Sequence, residues 1–146
     1  MTVLNRDHIG SILPQQPPFL MVDGVVEVTE MRIETRLEVR SDNLFLQQSQ
    51  LSGYGLVEHI AQSGAIGLAI INGSERTTRP ANGFLAGLSK LEIGKLPLVG
   101  SVVNTVLEPV ANLGGMYLLK AESYAGNHLL ISCEIKLAIQ MNENDQ

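Results

Sequence analysis

Glu58 and His59 stand side by side, with Gln62 one helical turn further on, in a stretch from Gly53 to Asn72 that is otherwise built of apolar and small residues. A carboxyl group in such a setting can serve as a general acid or base, an imidazole can move protons near neutral pH, and a carboxamide can hold either in place. Burying an ionisable group without a partner is costly, and perturbed acids concentrate at functional sites, so Glu58 is the leading candidate. Enclosure in a dry, apolar tunnel would favour its protonated form. The competing reading is a structural carboxylate paired with a neighbour. Adjacent helix positions diverge by about 100°, so His59 and Glu58 do not easily face one bound atom, and His59 reads first as a hydrogen-bonded or interface histidine. Gln62, at i+4, can hydrogen-bond the Glu58 side chain.

Other reactive residues give weaker signals. His8 lies near the start and His128 in a turn, and both read as surface residues. Cys133 is the sole cysteine, in an apolar strand-like run, and reads as packing rather than as a nucleophile. No spacing of His, Cys, Asp and Glu suggests a metal site, and nothing points to a bound cofactor.

The elements that would carry these residues follow from periodicity. Ser52 is a suitable N-cap, and Leu56, Val57, Ile60, Ala61, Ala65, Leu68 and Ala69 recur at helical spacing, with Ile66, Ile70 and Ile71 on other faces. A helix over 52–72, buried nearly all round and stopped by Asn72–Gly73, is expected. Its backbone N–H groups around Gly53 to Gly55 are unpaired in the first turn and suit an oxyanion. Glycines 53, 55, 64 and 67 imply close approach by either a strand or a ligand. Upstream, Pro14, Pro17 and Pro18 argue for an extended arm over 1–18, and Asp23–Gly24 for a turn or bulge. Arg32 to Arg40 alternates, with Ile33, Thr35, Leu37 and Val39 on one face of a half-buried strand. After a polar link from Ser74 to Asn82, four strand-like runs (84–93, 101–110, 116–124 and 129–139) form an antiparallel meander over 84–139, and 141–146 reads as a frayed tail. One long buried helix among antiparallel strands implies an α+β domain, a curved sheet wrapped around that helix.

The 146 residues suit a single domain, 1–146, and need no disulfide to fold. A formal charge of −5 without a Lys/Arg cluster excludes a nucleic-acid surface. Glu58, His59 and Gln62 make membrane insertion of the long helix costly, so no membrane span is expected. The opening residues lack the basic and apolar regions of a secretory signal, which predicts a cytoplasmic protein.

Two segments carry a resemblance. Leu13-Pro-Gln-Gln-Pro-Pro-Phe-Leu-Met-Val-Asp23 is similar to the Leu-Pro-His-Arg-x-Pro-Phe-Leu-Leu-Val-Asp of the 3-hydroxyacyl-carrier-protein dehydratases, and Gly53-Tyr-Gly-Leu-Val-Glu58-His-Ile-Ala-Gln62 is similar to their Pro-Gly-x-x-x-x-Glu-Ala-x-Ala-Gln helix. Weaker similarity runs through Gly83–Leu88 and Leu96–Ser101, so it covers most of the chain. The family's Gly-His-Phe-Pro-Gly segment, whose histidine is the usual base, is absent: only Leu-Gln-Gln-Ser-Gln-Leu-Ser stands between Phe45 and Gly53. In this the chain resembles the dehydratase-like proteins found with aryl-polyene and related polyketide-type gene sets.

The resemblance implies a hot-dog fold, with subunits joined through their sheets and sites at the interface. It implies dehydration of a 3-hydroxyacyl thioester carried on acyl carrier protein or coenzyme A, without a cofactor and with Glu58 as the acid. Gln62, His59, Gly53 and Gly55 would be the supporting residues, in a homodimer or in a heterodimer with a histidine-bearing paralogue. A thioesterase in which Glu58 activates water, and a non-catalytic acyl-binding subunit, are the alternatives.

Overall fold

The computed structural model of the chain describes residues 4–73 and 82–140, so most of the polar link expected from Ser74 and the tail expected at 141–146 lie outside the described residues. The element order is β1 (Leu4–Asn5), α1 (Arg6–Ile12), β2 (Gly24–Val28), β3 (Ile33–Glu38), β4 (Leu46–Gln47), β5 (Gln50–Leu51), α2 (Gly53–Ile71), β6 (Asn82–Ile93), β7 (Val102–Leu113), β8 (Met116–Ala125) and β9 (His128–Gln140). Seven strands form one antiparallel sheet in the order β1-β2-β3-β7-β8-β9-β6, and β4 and β5 make a separate small hairpin. Register shifts in the pairings of β2 with β3, β6 with β9 and β7 with β8 bend the sheet.

The alternation in β3 does what its pattern requires, burying Ile33, Thr35 and Leu37 against the helix. The α2 backbone starts at Ser52, whose hydroxyl accepts the Gly55 N–H at 3.1 Å, and ends at Asn72–Gly73, with Gly73 at φ +80°. The glycines of α2 serve close packing by the sheet. A Cβ on Gly67 would lie 2.4 Å from an Ile33 methyl, and one on Gly64 would lie 2.5 Å from a Leu137 methyl.

Two apolar clusters meet on α2. One joins Leu56, Ile60 and Leu68 to the inward faces of β3, β7, β8 and β9; the other joins Ala65, Ile66 and Ala69 to Ile9, Leu13, Leu20 and Val22 of the N-terminal segment. This is the hot-dog architecture: a curved antiparallel sheet wrapped around one long helix.

Four local expectations need correction. The four C-terminal runs do not form one meander: β7, β8 and β9 follow one another, but β6 pairs with β9 at the sheet edge and β7 pairs with β3. The first 18 residues are not extended throughout, because Arg6–Ile12 is helical. Asn5 caps it by accepting from the His8 N–H at 3.1 Å, Asp7 sits in the first turn, and the prolines begin only after it ends. Asp23–Gly24 is not a turn: Gly24 opens β2, and a Cβ there would strike the Arg36 side chain at 2.7 Å. Nor is α2 buried all round, since Tyr54 is 77% exposed and Val57, Glu58 and Ala61 are half-buried.

Candidate functional site

The N-terminal half of α2 faces two different neighbours. On one side runs the segment Phe19–Asp23, which is not a regular strand: the Asp23 N–H reaches the Arg36 carbonyl of β3 at 2.9 Å, but Phe19 and Met21 must find partners outside the sheet. Gln62 and His59 provide them. Gln62 Oε1 accepts the Met21 N–H at 2.7 Å, its Nε2 donates to the Phe19 carbonyl at 2.9 Å, and the same nitrogen donates to Glu58 Oε1 at 2.8 Å. His59 Nδ1 lies 2.6 Å from the Met21 carbonyl oxygen, and Nε2 lies 2.8 Å from Thr105 Oγ1, which is itself 2.6 Å from Ser123 Oγ. The ring is fully buried, and that burial pushes the imidazole pKa down to about 4, against the opposing pull of the Met21 carbonyl and the Asp23 charge. It is a neutral histidine near pH 7.

Asp23 ends this segment as a three-way tie. Its carboxylate pairs with Arg6, accepts from Arg40 Nη1 at 3.1 Å and accepts the Glu38 backbone N–H at 2.7 Å. Asn43 adds a contact of 3.3 Å from its amide nitrogen to Met21 Sδ. The Leu13–Asp23 motif is thus a fastening: apolar side chains go into the core, while its backbone and terminal carboxylate are gripped from α2, α1 and β3.

On its other side α2 meets β6. A Cβ on Gly53 would come within 2.9 Å of Ile93 Cδ1, and one on Gly83 within 2.7 Å of the Ala65 methyl. Because β6 is the last strand of the sheet order, its outer edge carries no partner strand, and Phe84, Leu85, Leu88, Leu91 and Ile93 are all exposed. The less buried residues of α2, Tyr54, Val57, Glu58 and Ala61, lie between Gly53, which meets Ile93 of β6, and Gln62, which holds the carbonyl of Phe19, itself 58% exposed.

Glu58 therefore sits where the fastened segment gives way to open apolar surface. It is half-buried, not enclosed, which corrects the expectation of a closed tunnel within one chain. Clefts of about 420 and 630 Å³ open elsewhere, beside Lys95–Leu98 and His128 and beside Pro17, Pro18 and Arg40, and Glu58 borders neither.

The structure brings Glu58 and Gln62 into contact and turns His59 away, as the helical angle requires. Gly55 does not fit the expected oxyanion role, since its N–H is taken by Ser52 and a Cβ there would lie 2.7 Å from both Phe45 and Leu51 side chains. His8 and His128 are exposed on other elements. Burial pushes the Cys133 thiol up to about 11, so it stays protonated and serves as packing.

Sequence reading placed Thr35 on the inward face of its strand but missed the hydroxyls of Ser63, Thr105 and Ser123. Thr35 and Thr105 are register partners, as are Thr105 and Ser123, and Thr35 Oγ1 meets Ser63 Oγ at 2.7 Å. A row of buried hydroxyls thus crosses β3, β7 and β8 beneath His59 and Ser63. The available signal was a hydroxyl at the inward parity of three otherwise apolar strands.

Comparison with known proteins places this geometry. A family model described as ApeP-like, ApeP dehydratase, matches residues 7–144. The 3-hydroxyacyl-[acyl-carrier-protein] dehydratase FabZ of Clostridium perfringens is 31% identical over 142 residues, covering 94% of this chain and 99% of its own. That of Staphylococcus aureus is 28% identical over 145 residues, covering 95% and 97%. Among solved structures, the dehydratase heterocomplex ApeI:P from Xenorhabdus doucetiae superposes with a TM-score of 0.81 at 19% identity, over 93% of this chain and 92% of that one. A thioesterase from Pseudomonas aeruginosa shares the fold at a TM-score of 0.61 and 8% identity, over 80% and 79%. With the model match spanning nearly the whole described chain, and the Leu13–Asp23 and Glu58–Gln62 segments engaged with each other as a single unit, the chain belongs to the ApeP-like dehydratase family.

Proposed function

We propose that this protein acts on 3-hydroxyacyl thioesters of acyl carrier protein or coenzyme A as a dehydratase, with Glu58 as the general acid. The observation that carries the reading is the setting of Glu58: Oε1 is held by Gln62 while the side chain borders an open apolar strip between Phe19 and β6. Among the described residues Oε2 has no protein partner. In the reaction a base removes the C2 proton, the C2–C3 double bond forms, the C3–O bond breaks, and Glu58 protonates the departing hydroxyl to release water. The chemistry is proton transfer throughout and calls for no cofactor. A donor near Gly53, at the start of α2, would steady the thioester oxygen.

The base comes from a second subunit in this reading. His59 has both ring nitrogens committed, and the other two described histidines are exposed on α1 and β9. The exposed apolar edge of β6 is the surface where another hot-dog chain would extend the sheet, closing the strip over Glu58 and bringing its histidine. That subunit is a histidine-bearing paralogue or, failing that, a second copy of this chain, and the setting is cytoplasmic.

The test is incubation with a 3-hydroxyacyl carrier protein, alone and mixed with a histidine-bearing paralogue, with loss of water followed by mass spectrometry. Enoyl product is expected from the mixture, and Glu58→Gln should reduce its formation by roughly 10²- to 10⁴-fold. Absence of enoyl product under both conditions sinks the dehydratase reading.

Among the described residues no histidine offers Glu58 an uncommitted ring nitrogen, which favours a second reading in which Glu58 activates water against the thioester carbonyl. Release of free thiol from acyl thioesters, lost in Glu58→Gln, would identify that thioesterase. Full activity of a complex carrying a folded Glu58→Ala chain would instead mark a non-catalytic acyl-binding subunit.

A further inference from the structure

We infer that His59 is a positioning residue for the Glu58 carboxyl, acting through the Met21 peptide group and the Gln62 amide; this rests on the acid role proposed for Glu58.

A carbonyl oxygen only accepts, so the 2.6 Å contact to Met21 puts the ring hydrogen of His59 on Nδ1. In the neutral ring Nε2 then offers a lone pair, which Thr105 fills by donating its hydroxyl at 2.8 Å. Thr105 Oγ1, having donated, accepts from Ser123 at 2.6 Å. Every proton in the buried chain from β8 through β7 to the N-terminal segment is therefore fixed in direction.

The same residue that His59 holds by its carbonyl is held by its N–H to Gln62 Oε1 at 2.7 Å. An amide side chain can flip, exchanging its oxygen and nitrogen. Here the Met21 N–H can bond only to the oxygen and the Phe19 carbonyl only to the nitrogen, so the flip is decided by the placement of the Phe19–Met21 segment. With Oε1 so directed, both hydrogens of Nε2 are used, one on the Phe19 carbonyl and one on Glu58 Oε1. Loss of the Nδ1 donor would leave the buried Met21 carbonyl unpaired. The segment would shift, Gln62 would be free to turn, and Glu58 would lose the bond that selects which of its oxygens meets the substrate.

Simple core filling makes a different prediction for two amide variants. In His59→Asn the side-chain nitrogen can take the place of Nδ1 and keep the donor to Met21; in His59→Gln the amide reaches toward Thr105 and that donor is lost. Assayed with the histidine-bearing subunit on 3-hydroxyacyl carrier protein, His59→Asn should keep kcat within about threefold of the parent, whereas His59→Gln should lose roughly 10- to 100-fold in kcat at nearly constant KM. Equal kcat per folded molecule in both variants would overturn the positioning role. Glu58→Gln run beside them separates the two ideas, because unchanged turnover there defeats the acid reading itself. A second measurement does not depend on turnover: the Gln62 side-chain amide resonances, by ¹⁵N NMR of the full-length protein. They should keep their dispersed positions in His59→Asn and move to solvent-like values in His59→Gln. Unchanged Gln62 resonances in folded His59→Gln would overturn the inference even where no substrate is turned over.

Discussion

The two flanks of α2 are finished to different degrees. On the Phe19–Asp23 side, the backbone groups of Met21 are paired, the imidazole is dry and saturated, and Asp23 is bound by two arginines and a backbone N–H. On the β6 side an unpaired strand edge presents five exposed apolar side chains. The first flank is complete within one chain, and the second leaves an apolar edge uncovered. Glu58 stands on the line between them, held by Gln62 from the finished flank and open toward the unfinished one. Rigidity for a catalytic group and access for a substrate are opposite demands, and the acid role proposed for Glu58 would draw on opposite sides of one helix for the two.

Acid should break the finished flank first. His59 ionises in the fold only near pH 4, against an ordinary value of 6.5, so the unfolded chain binds the proton more readily. Its contribution to stability is whole above about pH 6.5 and is lost as pH falls toward 4. The gap of about two and a half pH units, at about 1.4 kcal/mol each, comes to about 3 to 4 kcal/mol. Urea midpoints across this window, compared with those of His59→Asn, should show the excess slope in the parent alone; parallel curves would remove the saturated imidazole from the contrast.

A charge should break the unfinished flank without touching the other. Leu88→Arg on β6 should weaken subunit association by about 100-fold, read by analytical ultracentrifugation, while leaving the melting temperature of the chain nearly unchanged. Association at the parent affinity would mean that the open edge is not the joining surface.

A smaller effect sharpens the account of the core beneath. Thr35→Val removes the partner of Ser63, which can still turn its hydroxyl to the carbonyl one turn back on α2, so the cost should be about 1 kcal/mol in chemical denaturation. A loss of several kcal/mol would show that the hydroxyl row acts as one unit with His59.

Much of the fold was legible because its signals are local. The alternation of Ile33 to Val39, the runs that became β6 to β9, the Ser52 cap and the Asn72–Gly73 stop each depend on near neighbours in the chain. The helix at Arg6–Ile12 was hidden by prolines that follow it, whereas its cap at Asn5 was there to be read. Within the site, the i+4 bond from Gln62 to Glu58 and the turning away of His59 follow from helix geometry alone. The hold on Met21 does not, because side chains bonding to a backbone some 40 residues earlier leave no periodic trace. The half-exposure of Glu58 was illegible for a related reason: helix periodicity gives the angular order of side chains but not which angle the sheet leaves uncovered.

The span of those long bonds also orders the assembly of the protein in time. The β7–β8 and β8–β9 hairpins join residues close in the chain, with turns at Gly114–Gly115 and Gly126–Asn127, and can close early at little entropic cost. The ties from Met21 to His59 and Gln62 bridge 38 and 41 positions, and the tie from His59 to Thr105 bridges 46. They can form only when a pre-existing sheet receives both the helix and the N-terminal segment. An intermediate with a finished meander and an unfastened N-terminus would therefore hold native strands but no oriented Glu58, so recovery of the acid's setting should be the last step of refolding.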